Sequence, residues 1–207
     1  MSSFQSDLNQ EQILSKYLDN IYSEKKIEYK RIFDLNMQHQ GIDVIMTIDS
    51  KEYNIDEKAQ LHYIGSDLPT FTFELSYLKN NLNKEGWLFD EHKLTQYYFL
   101  KKGIFLKKGK TILSTPDDIE KIKITSVNRQ KLIDFLESKG LSKGKLLKYD
   151  SDIRESKTFG KNELVELNEK TEGLIYYTNH LSEKPINLQL RLKVLLDKEL
   201  AKKFYYV

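Results

Sequence analysis

Residues 41–60 read GIDVIMTIDSKEYNIDEKAQ, and no other stretch constrains the fold as much. Two apolar runs, Ile42–Ile48 and Tyr53–Ala59, flank the polar tetrad Asp49-Ser50-Lys51-Glu52. β-Branched residues on both sides of a polar turn predict a β-hairpin. The period of two along a strand then sets which side chains meet. Asp43, Ile45 and Thr47 share one face of the first strand. Asp56, Lys58 and Gln60 share one face of the second, while Ile55, Glu57 and Ala59 point the other way. If the faces carrying Asp43 and Asp56 coincide, two carboxylates and an ammonium stand together.

An acidic pair beside a lysine suits metal-assisted phosphodiester cleavage. Hard oxygen ligands hold a divalent ion such as magnesium, with manganese as the substitute. The ion polarises phosphate and lowers the pKa of a bound water. The lysine positions that water or neutralises the crowded phosphate. The plain alternative is a solvated hairpin, since Asp-Glu-Lys triplets are common in a chain that is 31% charged. Against it, Asp43 lies between Ile42 and Val44, and Asp56 follows Ile55.

Asp43, twelve intervening residues and then Asp56-Glu57-Lys58 resemble the signature of the PD-(D/E)XK nuclease superfamily. The resemblance spans roughly residues 11–100. It departs at the proline that usually precedes the first acid, which is Ile42 here. The resemblance implies an α/β fold: an N-terminal helix on a mixed central β-sheet, a restriction-endonuclease-like core, with C-terminal α+β additions. It implies a Mg2+- or Mn2+-dependent endonuclease acting on DNA, with RNA as the other substrate class. Asp43, Asp56 and the backbone carbonyl of Glu57 would bind the metal. Lys58 would act at the water or phosphate, Glu11 and Gln60 would assist, and Glu74 is an additional candidate ligand. A homodimer follows only by analogy with nucleases that cut two strands. The competing reading is a non-catalytic module on the same fold that grips nucleic acid or protein.

Composition limits the other function classes. A length of 207 residues with 39% hydrophobic and 12% aromatic content supports a sizeable core and argues against disorder. The expected organisation is one nuclease-like domain, with a core over roughly residues 5–110 and additions over 111–207. A net charge of +2 makes no global electrostatic case for nucleic acid, so a binding surface must be local. The absence of cysteine removes disulfides, thiol nucleophiles and cysteine zinc sites. No secretory leader and no membrane-length apolar run are read, so a cytoplasmic protein without a membrane partner is expected.

Along the chain, residues 7–28 read as a helix. Leu8, Leu14, Tyr17, Leu18, Ile21 and Tyr22 form an apolar stripe that also takes in Glu11. Residues 30–40 read as a connector with an Arg31–Asp34 ion pair and Gln38 at the rim. His39 reads as an ordinary loop histidine. Thr70–Tyr77 alternates as a strand, with Phe71, Phe73, Leu75 and Tyr77 inward and Glu74 outward. Lys101, Lys102, Lys107, Lys108 and Lys110, interleaved with Tyr97, Tyr98, Phe99 and Phe105, read as a candidate backbone-binding cluster or as a lysine-rich outer edge. Gly103–Thr111 fails the phosphate-loop pattern by one residue. Further on, Ile119–Ile124 reads as a strand. A helix over Arg129–Lys139 follows, capped by Asn128 and ended by Gly140. Gly173–Asn179 and Ile186–Leu192 read as strands, and Asp197–Phe204 as a closing helix.

Overall fold

The computed structural model describes residues 3–207, with side chains of the first helix from residue 9 onward. Its elements in chain order begin with α1 (Ser3–Glu24), β1 (Glu28–Arg31), α2 (Leu35–His39), β2 (Val44–Ile48) and β3 (Lys51–Ala59). Next come β4 (Thr70–Lys79), β5 (Leu82–Glu85), β6 (Tyr97–Leu106) and β7 (Ile119–Asn128). The chain ends with α3 (Arg129–Ser138), α4 (Lys143–Ser156), β8 (Gly160–Asn162), β9 (Gly173–Tyr177), β10 (Ile186–Arg191), α5 (Leu192–Asp197) and β11 (Ala201–Tyr206). The protein is therefore of mixed α/β class. No described helix is long and apolar enough to cross a membrane.

Two compact units divide the chain. The first comprises Met1–Leu68, Leu94–Val127 and Lys202–Val207, the second Pro69–Lys93 and Asn128–Ala201. The first holds a six-stranded sheet in the order β1-β2-β3-β6-β7-β11. β1 pairs antiparallel with β2, β2 antiparallel with β3, and β3 parallel with β6. Leu14, Leu18, Ile21 and Tyr22 of α1 form one buried cluster with Val44, Met46, Ile55, Phe99, Ile104, Ile122 and Ile124 of the sheet. Leu8, read onto the same stripe, lies outside the described side chains.

The hairpin forms as expected, but its turn is tighter. Ile48 pairs with Lys51, so Asp49 and Ser50 alone make the turn, at φ of 49° and 61°. Two left-handed residues match the twist of the flanking strands. β1 is a strand where a connector was expected: Glu28–Arg31 half-buries alternate residues, and pairing with β2 stabilises it. Asp34 does not pair with Arg31. It caps α2 by accepting from the Met37 amide at 2.9 Å. β6 is continuous and central, so Lys101 and Lys102 are buried. Gly103, at φ 54°, resets the alternation, so that Lys101 and Ile104 both face α1. The closing helix is corrected too. Residues 201–206 form β11 beside β7, and the Ile122 and Val207 main chains exchange hydrogen bonds of 3.0 and 3.2 Å. Pairing on an open sheet edge overrides local helix propensity there.

The second unit carries the sheet β5-β4-β10-β9-β8. β4 buries Phe71, Phe73 and Leu75, as its alternation predicts. Asn128 caps α3 by accepting from the Lys131 amide at 2.9 Å. Residues 141–168, which lack a clean period, contain α4, whose Asp150 accepts from the Ser76 hydroxyl at 2.5 Å.

The turn gives a stability test. Ser50 spends conformational energy in the left-handed region, which glycine enters freely. Ser50→Gly should stabilise the protein by about 1 kcal/mol, read as a raised denaturation midpoint. An unchanged or lowered midpoint would mean that the turn is not under that strain.

Candidate functional site

β3 presents opposite chemistry on its two faces, and Glu57 sets the division. Its side chain is 2% exposed and faces α1. It accepts from the Tyr22 hydroxyl at 2.8 Å, from Arg31 at 3.2 and 3.3 Å, and from Lys101 Nζ at 3.4 Å. Arg31 also donates to Asp19 at 2.8 Å. Burial alone would raise the Glu57 pKa, but Lys101, Arg31 and the Tyr22 hydroxyl outweigh it and hold the pKa below the ordinary value. Burial and the Glu57 charge push the Tyr22 hydroxyl well above its ordinary value, so it stays a donor.

With Glu57 fixed toward α1, Asp56 and Lys58 project from the other face. Asp56 is 2% exposed, and its Oδ1 lies 2.8 Å from Lys58 Nζ. Its Oδ2 is buried and accepts no hydrogen bond. Lys58 is 30% exposed at the side chain, so its ammonium reaches solvent beside the buried acid.

Asp43 arrives by a different route from the one simple alternation gives. It lies just before β2, where its amide donates to the Ile55 carbonyl at 2.9 Å. Val44 is also registered with Ile55, and the Asp43 carbonyl accepts from the Ile32 amide on the β1 side. Two residues facing one, with amide and carbonyl turned to opposite edges, make a β-bulge. The bulge aims the carboxylate along the sheet, where Oδ2 accepts from the Glu57 amide at 2.7 Å. Amide and carbonyl of one strand residue point to the same edge, so the Glu57 carbonyl also leaves toward Asp43. Burial first, and the Asp56 charge second, raise the Asp43 pKa to about 7, against Lys58 and the Glu57 amide, which lower it. The two carboxylates are therefore electrostatic neighbours.

Three further candidates lie on other segments. Glu11 is exposed on α1 and does not share the buried stripe. At 100° per residue it points along the stripe, within about 20° of Leu18, but it lies nearly one turn before Leu14, the first buried residue described in α1. Glu74 lies on β4, in the other sheet. Gln60 directly follows β3, its amide donating to the Lys101 carbonyl at 3.1 Å. The lysine cluster is also corrected. Lys101 serves Glu57, Lys102 donates to Asp67 at 2.7 Å, and Lys110 pairs with Asp118 at 2.9 Å, while Lys107 and Lys108 are exposed. Asp67 also pairs with Lys123. Lys101 and Lys102 sit on a central strand, where burial requires each to have a partner. The Glu57 hub escaped the sequence reading. Its one signal was an acid on the same strand face as Ile55 and Ala59.

Among the described residues, no three His, Asp or Glu side chains converge as a metal cluster. The donors present are two carboxylates and one main-chain carbonyl. Magnesium accepts such a set, because it keeps water and substrate phosphate oxygens in its shell. The unsatisfied Asp56 Oδ2 and the raised Asp43 pKa are the features a cation would relieve. Comparison with family models, curated proteins and solved structures finds no match.

Two stability predictions follow from these charges. Glu57→Ala leaves Lys101 buried without its acid and takes one of two acids from Arg31, and should cost about 3–5 kcal/mol by denaturant titration. A loss below about 1 kcal/mol would mean that the hub is solvated. Asp43 works with the opposite sign. Its folded pKa is raised from 3.8 to about 7, so its contribution is present below about pH 4 and lost as pH rises through about 7. Asp43→Asn should therefore gain on wild type by about 1–3 kcal/mol between about pH 5 and pH 8, in chelator. A pH-independent difference would refute the raised pKa.

Proposed function

We propose that this chain hydrolyses phosphodiester bonds with a divalent metal, on a restriction-endonuclease-like core formed by α1 with β1, β2, β3 and β6. The observation that carries this reading is the buried Asp56, paired to Lys58 through one oxygen and unsatisfied at the other, beside a second carboxylate of raised pKa. Structural carboxylates are normally satisfied, as Glu57 is one residue away.

Asp43, Asp56 and the Glu57 carbonyl would hold Mg2+ or Mn2+, which supplies a polarised phosphate and a more acidic bound water. Asp56 holds the Lys58 ammonium at the mouth of the site, where it meets a phosphate oxygen or orients the attacking water. The Glu57 amide keeps one oxygen of Asp43 in place and leaves the other for the ion. DNA is the proposed substrate, supported by the spacing of Asp43, Asp56 and Lys58.

The test uses the purified 207-residue chain with DNA and RNA of several architectures. Cleavage should require Mg2+ or Mn2+ and stop on chelation. Asp56→Asn and Lys58→Ala should each lower kcat by about 100-fold or more with the fold intact by circular dichroism. Binding without cutting by wild type on every substrate would favour the non-catalytic module. Undiminished cleavage in both variants would place any activity elsewhere.

A further inference from the structure

The sheet face that carries Asp56 and Lys58 continues across β6 and β7 to β11, and its far end is basic. Ile122 and Ile124 of β7 join the buried cluster under α1, so Lys123 and Thr125 project from the opposite face. Lys101 serves Glu57 on the α1 side, so Lys102 points to that opposite face as well. Asp67 pairs there with both Lys102 and Lys123. Gly103 leaves room for the pairing, since a Cβ on it would stand 3.1 Å from Asp67 Oδ1. β11 adds Tyr206, whose hydroxyl lies 2.7 Å from Oγ1 of the buried Thr125.

That ring, fixed at its hydroxyl end, gathers two cations from neighbouring strands. Lys123 Nζ lies 5.8 Å from its centre and Lys203 Nζ 5.3 Å, both within cation–π range. Acids are too few to neutralise this group. Lys102 and Lys123 share one carboxylate, while Lys203 is exposed and joins no ion pair among the described residues. Three ammoniums around one carboxylate leave two positive charges uncompensated. The plain alternative is an edge strand protected by lysine against pairing. Edge protection does not require an aromatic ring that holds the edge lysine beside an ammonium of the next strand. Like charges held together in this way are relieved by an anion.

We propose that the DNA strand held at Asp43, Asp56 and Lys58 runs across β6 and β7 to β11, where Lys123 and Lys203 hold phosphates that flank the scissile bond. This rests on the phosphodiester reading above. Three strand steps of about 4.8 Å separate β3 from β11, about 14 Å in all. About four stacked nucleotides cover that distance at about 3.4 Å each. The contact is to backbone, so it positions the strand and selects no sequence.

The experiment measures binding of one labelled DNA by anisotropy, with calcium in place of magnesium, between about 50 and 200 mM salt. Cleavage of the same DNA is followed with magnesium. The variants are the double substitutions Lys123→Ala with Lys203→Ala, Lys123→Arg with Lys203→Arg, and Lys107→Ala with Lys108→Ala. The last removes the same charge from two exposed lysines of another segment. Lys123→Ala leaves Asp67 with Lys102, and Lys203 is exposed, so the fold should persist by circular dichroism. The Lys123/Lys203 alanine variant should lower the slope of log affinity against log salt by about 1.4–1.8, at about 0.7–0.9 per phosphate contact. It should raise KM by about tenfold or more with kcat little changed, because a flanking contact binds ground and transition states alike. The arginine variant should keep slope and affinity. An unchanged slope and affinity in the Lys123/Lys203 alanine variant overturns the track and leaves the hydrolytic reading standing. An equal loss in the Lys107/Lys108 variant overturns it in favour of a net-charge effect. Failure of wild type to cut, with the slope lowered as expected, overturns hydrolysis and keeps the contact. Failure of wild type to bind any DNA overturns both.

Discussion

A buried carboxylate carries a desolvation penalty of several kcal/mol, so where Glu57 lies its partners must lie too. Those partners come from three different elements: Tyr22 from α1, Arg31 from β1 and Lys101 from β6. The hub therefore locates the helix on the sheet and fixes which face of β3 meets it. Arg31 reaches Asp19 as well, binding the edge strand to the helix a second time. Such a network contributes less to net stability than an apolar core of the same volume would. What it supplies is register: a one-residue slip of β3 would turn Glu57 away from α1 and from all three partners.

The same residue organises the acids through its main chain. Locking the Glu57 side chain toward α1 sends its two neighbours, Asp56 and Lys58, to the opposite face. Its amide would be the next ladder donor toward β2, but β2 has ended, and the Asp43 carboxylate takes the place of a strand carbonyl at 2.7 Å. The bulge at Asp43 makes this possible, since a regular strand residue would aim its side chain above or below the sheet and not along it.

Local patterns were legible in the sequence wherever side-chain period and burial agree. The β2–β3 hairpin, the alternation of β4 and the Asn128 cap were all visible, because each depends on residues close in the chain. β1 and β11 were not, because short strands owe their existence to a partner contributed by a distant segment. The lysines of β6 misled for the same reason. Lys101 and Lys102 look like a basic surface until the sheet order places β6 between β3 and β7. At the candidate site, the meeting of Asp43, Asp56 and Lys58 was legible from spacing. The bulge that achieves it was not, nor was the exposure of Glu11, which shares the angle of the stripe but precedes Leu14, the first buried residue described in α1.

The contrast along β3 bears most directly on the choice between a functional site and a charged hairpin. Glu57 is a buried acid with every demand met: two cations and a hydroxyl surround it, and its pKa is lowered. Asp56, its neighbour, is equally buried but has one ammonium, one unsatisfied oxygen and a second carboxylate nearby. An acid with a purely structural role in that place would be better replaced by an amide, which removes the repulsion and keeps the hydrogen-bonding shape. A solvated hairpin would instead expose the acid, and Asp56 is 2% exposed. What remains is a carboxylate pair held together against its own repulsion by a sheet that is well satisfied elsewhere. A cation between Asp43 and Asp56 would remove that conflict, and this favours the metal-dependent reading over the alternatives.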